Sequence, residues 1–386
     1  MEQHDPTRPI RLALGGMLGM MVAMGVGRFF YTPVLPSMMS ELGLSPNIAG
    51  WIASANYFGY LAGALAAAGA WAAGHERRIM LASLAASAVL CALMSFTDSP
   101  TAFIIIRFLA GLASAFVMVF LASIVFSHLA DADRNDLQSL HFGGVGIGII
   151  ASSVIMYLVL QLGQAWNYGW WWAAVASALG ALAVAWLVRS GPLTNQANRI
   201  EPALPRDRAL LQLIAAYGFF GFGYIVTATF LIAIVRADGG SRTFETVVWL
   251  VTGLAILPSL TLWGLLTKQR GPAMAFIVGC LVEAVGVAAS VSLGGWLGPI
   301  LAGVLLGATF IAVTAYGLQA GRLLAPASPR RIFALMTASF GVGQILGPIA
   351  AGMIAQHSGG FFGGSMLAVA ALIIAAALAL PALKKT

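Results

Sequence analysis

The sequence predicts an all-α integral membrane protein of twelve transmembrane helices, arranged as two six-helix pseudo-symmetric bundles. Three observations predict it. The 386 residues are 60% apolar and only 9% charged, whereas a chain facing water carries about 25% charged residues. Apolar stretches recur along the whole length at the size of a membrane span, roughly 20 residues each. The longest polar segment falls near the middle, and the stretches on its two sides resemble each other.

Taken in order, apolar runs bounded by charges and by Pro or Gly breaks predict spans at 11–39, 47–72, 78–96, 101–128, 137–162 and 166–188. A second six follow at 209–236, 246–267, 272–294, 297–322, 331–356 and 361–383. Each is expected to be helical, because hydrocarbon cannot satisfy a bare backbone. The N-terminus MEQHDPTRP lacks a basic n-region, and no cleavage-site pattern follows it, so the first apolar stretch reads as a retained span.

Basic residues set the orientation, since loops rich in Lys and Arg stay in the cytoplasm. On one side fall Arg8, Arg11, Arg77, Arg78, Arg134, Arg189, Arg199, Arg206, Arg208, Lys268, Arg270, Arg322, Arg330, Arg331, Lys384 and Lys385. On the other fall only Arg236 and Arg242, with Arg28 and Arg107 inside spans. Both termini are therefore expected in the cytoplasm. Tyr168, Trp170, Trp171 and Trp172 fall at the outer interface as an aromatic belt.

The segment Arg189–Arg208 has the Pro-rich, charged composition of a linker. It divides the chain into an N-terminal bundle at 1–190, a cytoplasmic linker at 191–208 and a C-terminal bundle at 209–386. Gly25-Val26-Gly27-Arg28 matches Gly221-Phe222-Gly223-Tyr224 at an offset of 196, as Gly111 matches Gly307. Trp51 matches Trp249, and Phe142-Gly143 matches Phe340-Gly341, at an offset of 198. A parallel repeat of six spans joined by a cytoplasmic linker implies two bundles rocking about a site between them.

Several functions are disfavoured. There is no GxxxxGK[ST] phosphate loop, no HExxH and no GxSxG, so an ATP-driven pump and the common hydrolases find no support. The net charge of +7 is spread over loop ends rather than gathered in a stripe, which argues against a nucleic-acid partner. Cys91 and Cys280 lie in apolar stretches without metal-ligand spacing, and His4, His75, His128 and His357 read as tail or loop residues. No cofactor or metal is called for.

What remains is a short set of polar groups at membrane depth, where ionisable side chains usually line an aqueous pathway. Arg28 lies 17 residues past Arg11, which at about 1.5 Å per residue is roughly 25 Å into the span. It is read as an anion-binding group, because a guanidinium stays charged and offers a planar fork to a carboxylate or phosphate. The plainer alternative is a structural Arg held by carbonyls and hydroxyls. Tyr31 and Thr32, at i+3 and i+4, would share its helix face and orient it or the ligand. Asn56, Tyr57 and Tyr60 in span 2, and Tyr224 at the repeat position of Arg28, are further substrate-binding candidates, with Gln319 and Gln344 beside them.

Three residues are candidates for proton coupling or gating. Arg107 heads an RxxxGxxxA pattern with Gly111 and Ala115 along one side of span 4, and is either a charge relay or a packing residue. Glu283 is expected as the only acidic residue within a span, either a proton carrier or a permanently neutral acid held by a neighbour. His141, at the start of HFGGVGIG, either titrates or serves as an interfacial hydrogen-bonder. Gly143, Gly144, Gly146 and Gly148, with Gly341, Gly343, Gly347 and Pro348, read as hinge or close-approach positions.

Five stretches carry a family resemblance: GVGRFFYTPVLPSM from Gly25, GWIASANYFGYLAGAL from Gly50, the Arg107 pattern, HFGGVGIG from His141 and FGVGQILGPIAAG from Phe340. Together they resemble the YbfB/YjiJ-type bacterial branch of the major facilitator superfamily, over essentially the whole chain. The resemblance implies a bacterial inner-membrane transporter with a central cavity that opens alternately to each side. Two features depart from the wider superfamily. The acidic inner-gate residue expected after span 2 is missing, since Gly63-Ala64-Leu65 runs into Ala66 and Ala67. The span-1 acid of many drug/proton antiporters is replaced by the cation Arg28, which favours anionic substrates, while the span-4 Arg resembles that of proton-coupled exporters.

The sequence thus predicts a secondary transporter for a small organic anion or amphipathic acid, coupled to protons and acting as a monomer in the lipid bilayer. Proton-driven multidrug or toxic-metabolite efflux, suggested by Met- and Phe-rich spans, is the alternative within transport. An integral-membrane enzyme or sensor is the alternative of another class.

Overall fold

In the computed structural model, residues 8–193 and 201–386 are described. His4, Arg199 and the central part of the expected linker lie outside them. The described residues form twelve long helices: α1 (Arg8–Leu42), α2 (Pro46–Ala67), α3 (Glu76–Met94), α4 (Pro100–Asp131), α5 (Gln138–Gln161) and α6 (Trp166–Leu187). Then come α7 (Arg208–Ala237), α8 (Arg242–Arg270), α9 (Pro272–Ser292), α10 (Leu297–Leu324), α11 (Pro329–Ser358) and α12 (Phe362–Ala379). No strand occurs among the described residues. Eleven of these segments are long and apolar enough to cross a membrane. The exception, α2, has 22 residues but interrupts its apolar run with Ser54, Asn56, Tyr57 and Tyr60.

Short polar residues set the helix starts. Ser45, Ser99 and Ser241 accept the backbone N–H of Ile48, Ala102 and Phe244, and Asp207 accepts that of Ala209, satisfying donors that a helix N-terminus leaves open. The Ser241 cap corrects the expected start of span 8: the helix begins at Arg242, and Glu245 lies inside it, 3% exposed. Glu283 is therefore not the only acid within these helices. His128, expected in a loop, is buried in the last turns of α4, where Nε2 meets the Gly191 carbonyl at 3.0 Å. Trp170 leaves the expected aromatic belt and is buried against Phe30, while Tyr168, Trp171 and Trp172 are exposed.

α1 is not a regular helix. Residues Met21–Val26 form a π segment, Gly27 N–H donating to the Val22 carbonyl, and a turn at 27–30 separates it from Tyr31–Leu42. Thr32 N–H turns to the Phe29 carbonyl, which leaves the Arg28 carbonyl unused by the helix. Glycine permits the distortion, because Gly25 lies against Gly148 of α5 with no space for a Cβ on either.

The repeat read in the sequence reappears in the packing. A Cβ on Gly111 would overlap the Asn56 carbonyl, joining α4 to α2, and one on Gly307 would overlap the Thr252 carbonyl, joining α10 to α8. Positions 56 and 252 are again 196 apart. Gly143 faces Leu257, and Gly341 faces Leu61, so α5 meets α8 as α11 meets α2. The Trp match fails: Trp51 is 49% exposed, whereas Trp249 is fully buried.

Candidate substrate site

The contacts between α1 and α7 set the centre of the molecule. Thr32 Oγ1 donates to the Ala228 carbonyl at 2.5 Å, and these positions are themselves 196 apart, so the bond joins two places that the repeat makes equivalent. One turn earlier on each helix stand Arg28 and Tyr224, the other equivalent pair. Arg28 is 2% exposed. Its guanidinium carbon lies 4.4 Å from the Tyr60 ring centroid, 4.7 Å from that of Tyr57 and 5.7 Å from that of Phe29. Such contacts stabilise a cation by about 0.5–2 kcal/mol each but accept no hydrogen bond in its plane. Nε and Nη2 find no acceptor in the protein, and a buried donor left so costs about 1–3 kcal/mol. The sequence alternative of an Arg held by carbonyls and hydroxyls has no such partners for these two nitrogens.

Tyr224, within electrostatic reach of Arg28, is hydrogen-bonded to Gln344 Nε2, which leaves its own hydroxyl proton for another acceptor. Gln344 Oε1 is buried without a partner. The Tyr224 ring is nearly parallel to those of Phe310 and Phe340, at 5.7 Å and 5.6 Å between centroids. Phe310 in turn meets Phe29 edge-on at 5.7 Å. A continuous aromatic surface thus runs from the Arg28 side of α1 and α2 to α7, α10 and α11.

Other candidates have different surroundings. Tyr31 OH donates to the Ala49 carbonyl at 3.1 Å, and its ring lies 5.2 Å from the Arg107 guanidinium rather than beside that of Arg28. The break at 27–30 removes the regular spacing that would have put Tyr31, Thr32 and Arg28 on one face. Tyr57 OH and Thr229 Oγ1 are 3.3 Å apart, and Ser54 Oγ donates to the Ile345 carbonyl at 2.7 Å. Asn56 does not close the site. Its Nδ2 donates to the Arg107 carbonyl at 3.0 Å. Gln319 is exposed near the end of α10 and is not gathered into the cluster.

Arg107 donates to the Gly27 and Arg28 carbonyls, each at 2.8 Å, so its fork holds the broken backbone that presents Arg28. Trp170 lies on its other side at 5.8 Å. Glu283 is 1% exposed, with Oε2 3.0 Å from Thr309 Oγ1 and Oε1 unpartnered. Thr309 precedes Phe310 in the sequence, and the carboxyl is within electrostatic reach of Tyr224. His141 is fully buried, neither ring nitrogen has a partner, and Phe126 packs on it at 5.0 Å. It stands against Gly16 of α1, apart from Arg28.

Sequence reasoning missed Phe29, Phe310, Phe340 and Thr309. An apolar ring in an apolar span carries no local signal, and only the stacking of Phe310 and Phe340 on Tyr224 and the edge contact of Phe29 with Phe310 set these rings apart. It also missed the pair Arg236–Glu245, a two-pronged ion pair between the end of α7 and the start of α8.

A lipid-facing bundle of long helices, with an unpartnered cation at its centre and no catalytic constellation beside it, defines a membrane transporter of the major facilitator type. The chain belongs to the family described as uncharacterised MFS-type transporter YbfB, which it matches over residues 20–380. No curated protein matches it in sequence. Among solved structures it is similar to a bacterial homologue of the human lysosomal transporter Spinster, in an inward-facing and occupied conformation, with a TM-score of 0.73 and 14% identity, covering 100% of this chain and 98% of that one. It is also similar to the nucleoside transporter NupG, with a TM-score of 0.68, 17% identity and 98% of each chain covered. A mutant of NupG gives a TM-score of 0.71 at 15% identity, with 98% and 99% covered. At such identities the likeness concerns the fold.

Proposed function

We propose that the chain is a proton-coupled secondary transporter of a small organic anion or amphipathic acid, working by alternating access between bundles 1–190 and 209–386. The twelve helices cross a bacterial inner membrane with both termini in the cytoplasm, an orientation supported by the distribution of Lys and Arg. One observation carries the anion reading: the Arg28 guanidinium is buried, and two of its nitrogens lack an acceptor. A carboxylate supplies that acceptor and the opposite charge at once. Tyr57, Tyr60, Tyr224 and Gln344 complete the site. Nucleosides, the ligands in the name of one solved relative, are uncharged and would leave the guanidinium uncompensated.

Proton coupling is assigned to Glu283. Thr309 Oγ1 is 3.0 Å from Glu283 Oε2 and 2.7 Å from the Leu305 carbonyl, and one hydroxyl proton cannot serve both. A proton on the carboxyl completes the set, and a change in its surroundings during transport would release it. His141 is the other candidate, fully buried with neither ring nitrogen partnered.

The test is thermal stabilisation of the purified protein by a panel of acids, cations and neutral amphiphiles, with Arg28→Gln alongside. Acids that stabilise the wild type and not the variant support the reading. The aromatic walls favour a second one, efflux of apolar drugs or metabolites. Stabilisation by cationic or neutral amphiphiles, equal in both proteins, would select it.

A further inference from the structure

We infer that the substrate class is narrower than organic acids at large: aromatic monocarboxylates, with the carboxylate on Arg28 and the ring against the surface formed by Phe29, Tyr57, Tyr60, Tyr224 and Phe310. The inference rests on the anion reading and adds the shape and charge count of the ligand.

The charge count follows from what surrounds Arg28. A second cation, Arg107, is within electrostatic reach of it, and its guanidinium is already engaged by the Gly27 and Arg28 carbonyls. The Glu283 carboxyl is taken up by Thr309 Oγ1 at 3.0 Å. The site therefore offers one free cationic fork and no second one, which suits one carboxylate and leaves a second, distant carboxylate unpaired in a dry interior.

The shape follows from the rings. Phe29 and Phe310, from the two halves of the sequence, touch edge-on at 5.7 Å, and Phe310 stacks within 4° of parallel on Tyr224. Ring pairs of this kind gain from quadrupole geometry beyond the area they bury. When the two sides part to admit a ligand, the Phe29–Phe310 contact is lost. A planar ring inserted between them restores an edge contact on one side and a stacked contact on the other, while an aliphatic ring of the same size restores area alone. Tyr57 and Tyr60 hold the guanidinium at 4.7 Å and 4.4 Å, fixing where the carboxylate sits relative to that slot.

The test compares benzoate with cyclohexanecarboxylate, which carry the same charge and carbon count, together with terephthalate and benzamide. Binding is read by isothermal titration to the full-length protein in detergent, for the wild type, Arg28→Gln and Phe310→Leu. Benzoate is expected to bind at least tenfold more tightly than cyclohexanecarboxylate, and terephthalate and benzamide more weakly than benzoate. Phe310→Leu should bring the two monocarboxylates within threefold of each other while both still require Arg28. Equal binding of benzoate and cyclohexanecarboxylate by the wild type, both abolished in Arg28→Gln, would overturn the aromatic inference and leave the anion reading standing. Benzamide binding as well as benzoate, with Arg28→Gln unchanged, would overturn both. The melting curve of Phe310→Leu, a cooperative transition near that of the wild type, shows that it is folded, so its loss of preference cannot be ascribed to collapse.

Discussion

Arg28 is a charge whose neighbours stabilise it without saturating it. Two tyrosine rings and one phenylalanine ring attract the guanidinium, while Nε and Nη2 are left for a partner. Replacing a buried charged partner costs about 2–5 kcal/mol, so Arg28→Gln should weaken acid binding by roughly 30-fold or more, measured by titration. Arg28→Lys should recover only part of this, because an ammonium lacks the two-pronged fork. Glu283→Gln keeps the shape of a neutral carboxyl, so acid binding is expected to persist while pH-driven uptake into proteoliposomes disappears. Uptake that still follows the pH gradient would move the proton to His141. Arg28 was legible in the sequence because an intramembrane cation is rare. The roles of its neighbours were not, since whether Asn56 faces the site or the Arg107 carbonyl depends on a helix rotation that composition does not encode.

Among the helices, α1 and α4 form a unit. The π segment and turn of α1 free the Gly27 and Arg28 carbonyls, Arg107 of α4 takes both, and Asn56 of α2 takes the Arg107 carbonyl. Removing the fork leaves two buried carbonyls short of donors, each costing about 1–3 kcal/mol. Arg107→Met should therefore lower stability by a few kcal/mol and weaken acid binding without contacting the ligand, seen as a reduced melting temperature and a raised Kd. Gly111 and Gly307 make the same close approach in the two halves. Gly111→Val and Gly307→Val are each expected to destabilise by about 1–3 kcal/mol or more, whereas Gly143→Ala, facing only a Leu257 methyl at 3.9 Å, should be nearly neutral in the same melts. The approximate positions of the spans were readable from apolar runs bounded by charges and by Pro or Gly breaks. The irregularity of α1 was not, because two glycines in a membrane helix are common and only the approach of Gly148 and the Arg107 fork select the broken form.

Across the whole molecule, the basic ends of several helices are fastened by a few acidic residues. The Glu201 carboxylate accepts the backbone N–H groups of Arg330 and Arg331 at the start of α11 and the Arg330 guanidinium at 3.1 Å. Its desolvation opposes ionisation, but these donors more than offset it and hold the carboxyl below the ordinary glutamate range. A depressed folded-state pKa gives stability that is present above the unfolded value and is lost as pH falls through the folded one. The melting temperature should therefore drop on acidification below the ordinary glutamate range, and Glu201→Gln should flatten that part of the profile. Lys385, with the Ala209 N–H, has the same downward effect on Asp207. On the other side of the linker, Arg77 donates to the Val188 carbonyl, and Leu193 N–H donates to Ser127 Oγ at 3.2 Å. The chain is thus pinned at Leu193 to α4 and at Glu201 to α11, with eight peptide steps between. Fully drawn out, at about 3.6 Å per step, that stretch reaches no more than roughly 29 Å. It is a leash of fixed length: if the two halves move against each other, these ends of α4 and α11 cannot part beyond it unless one knot comes undone.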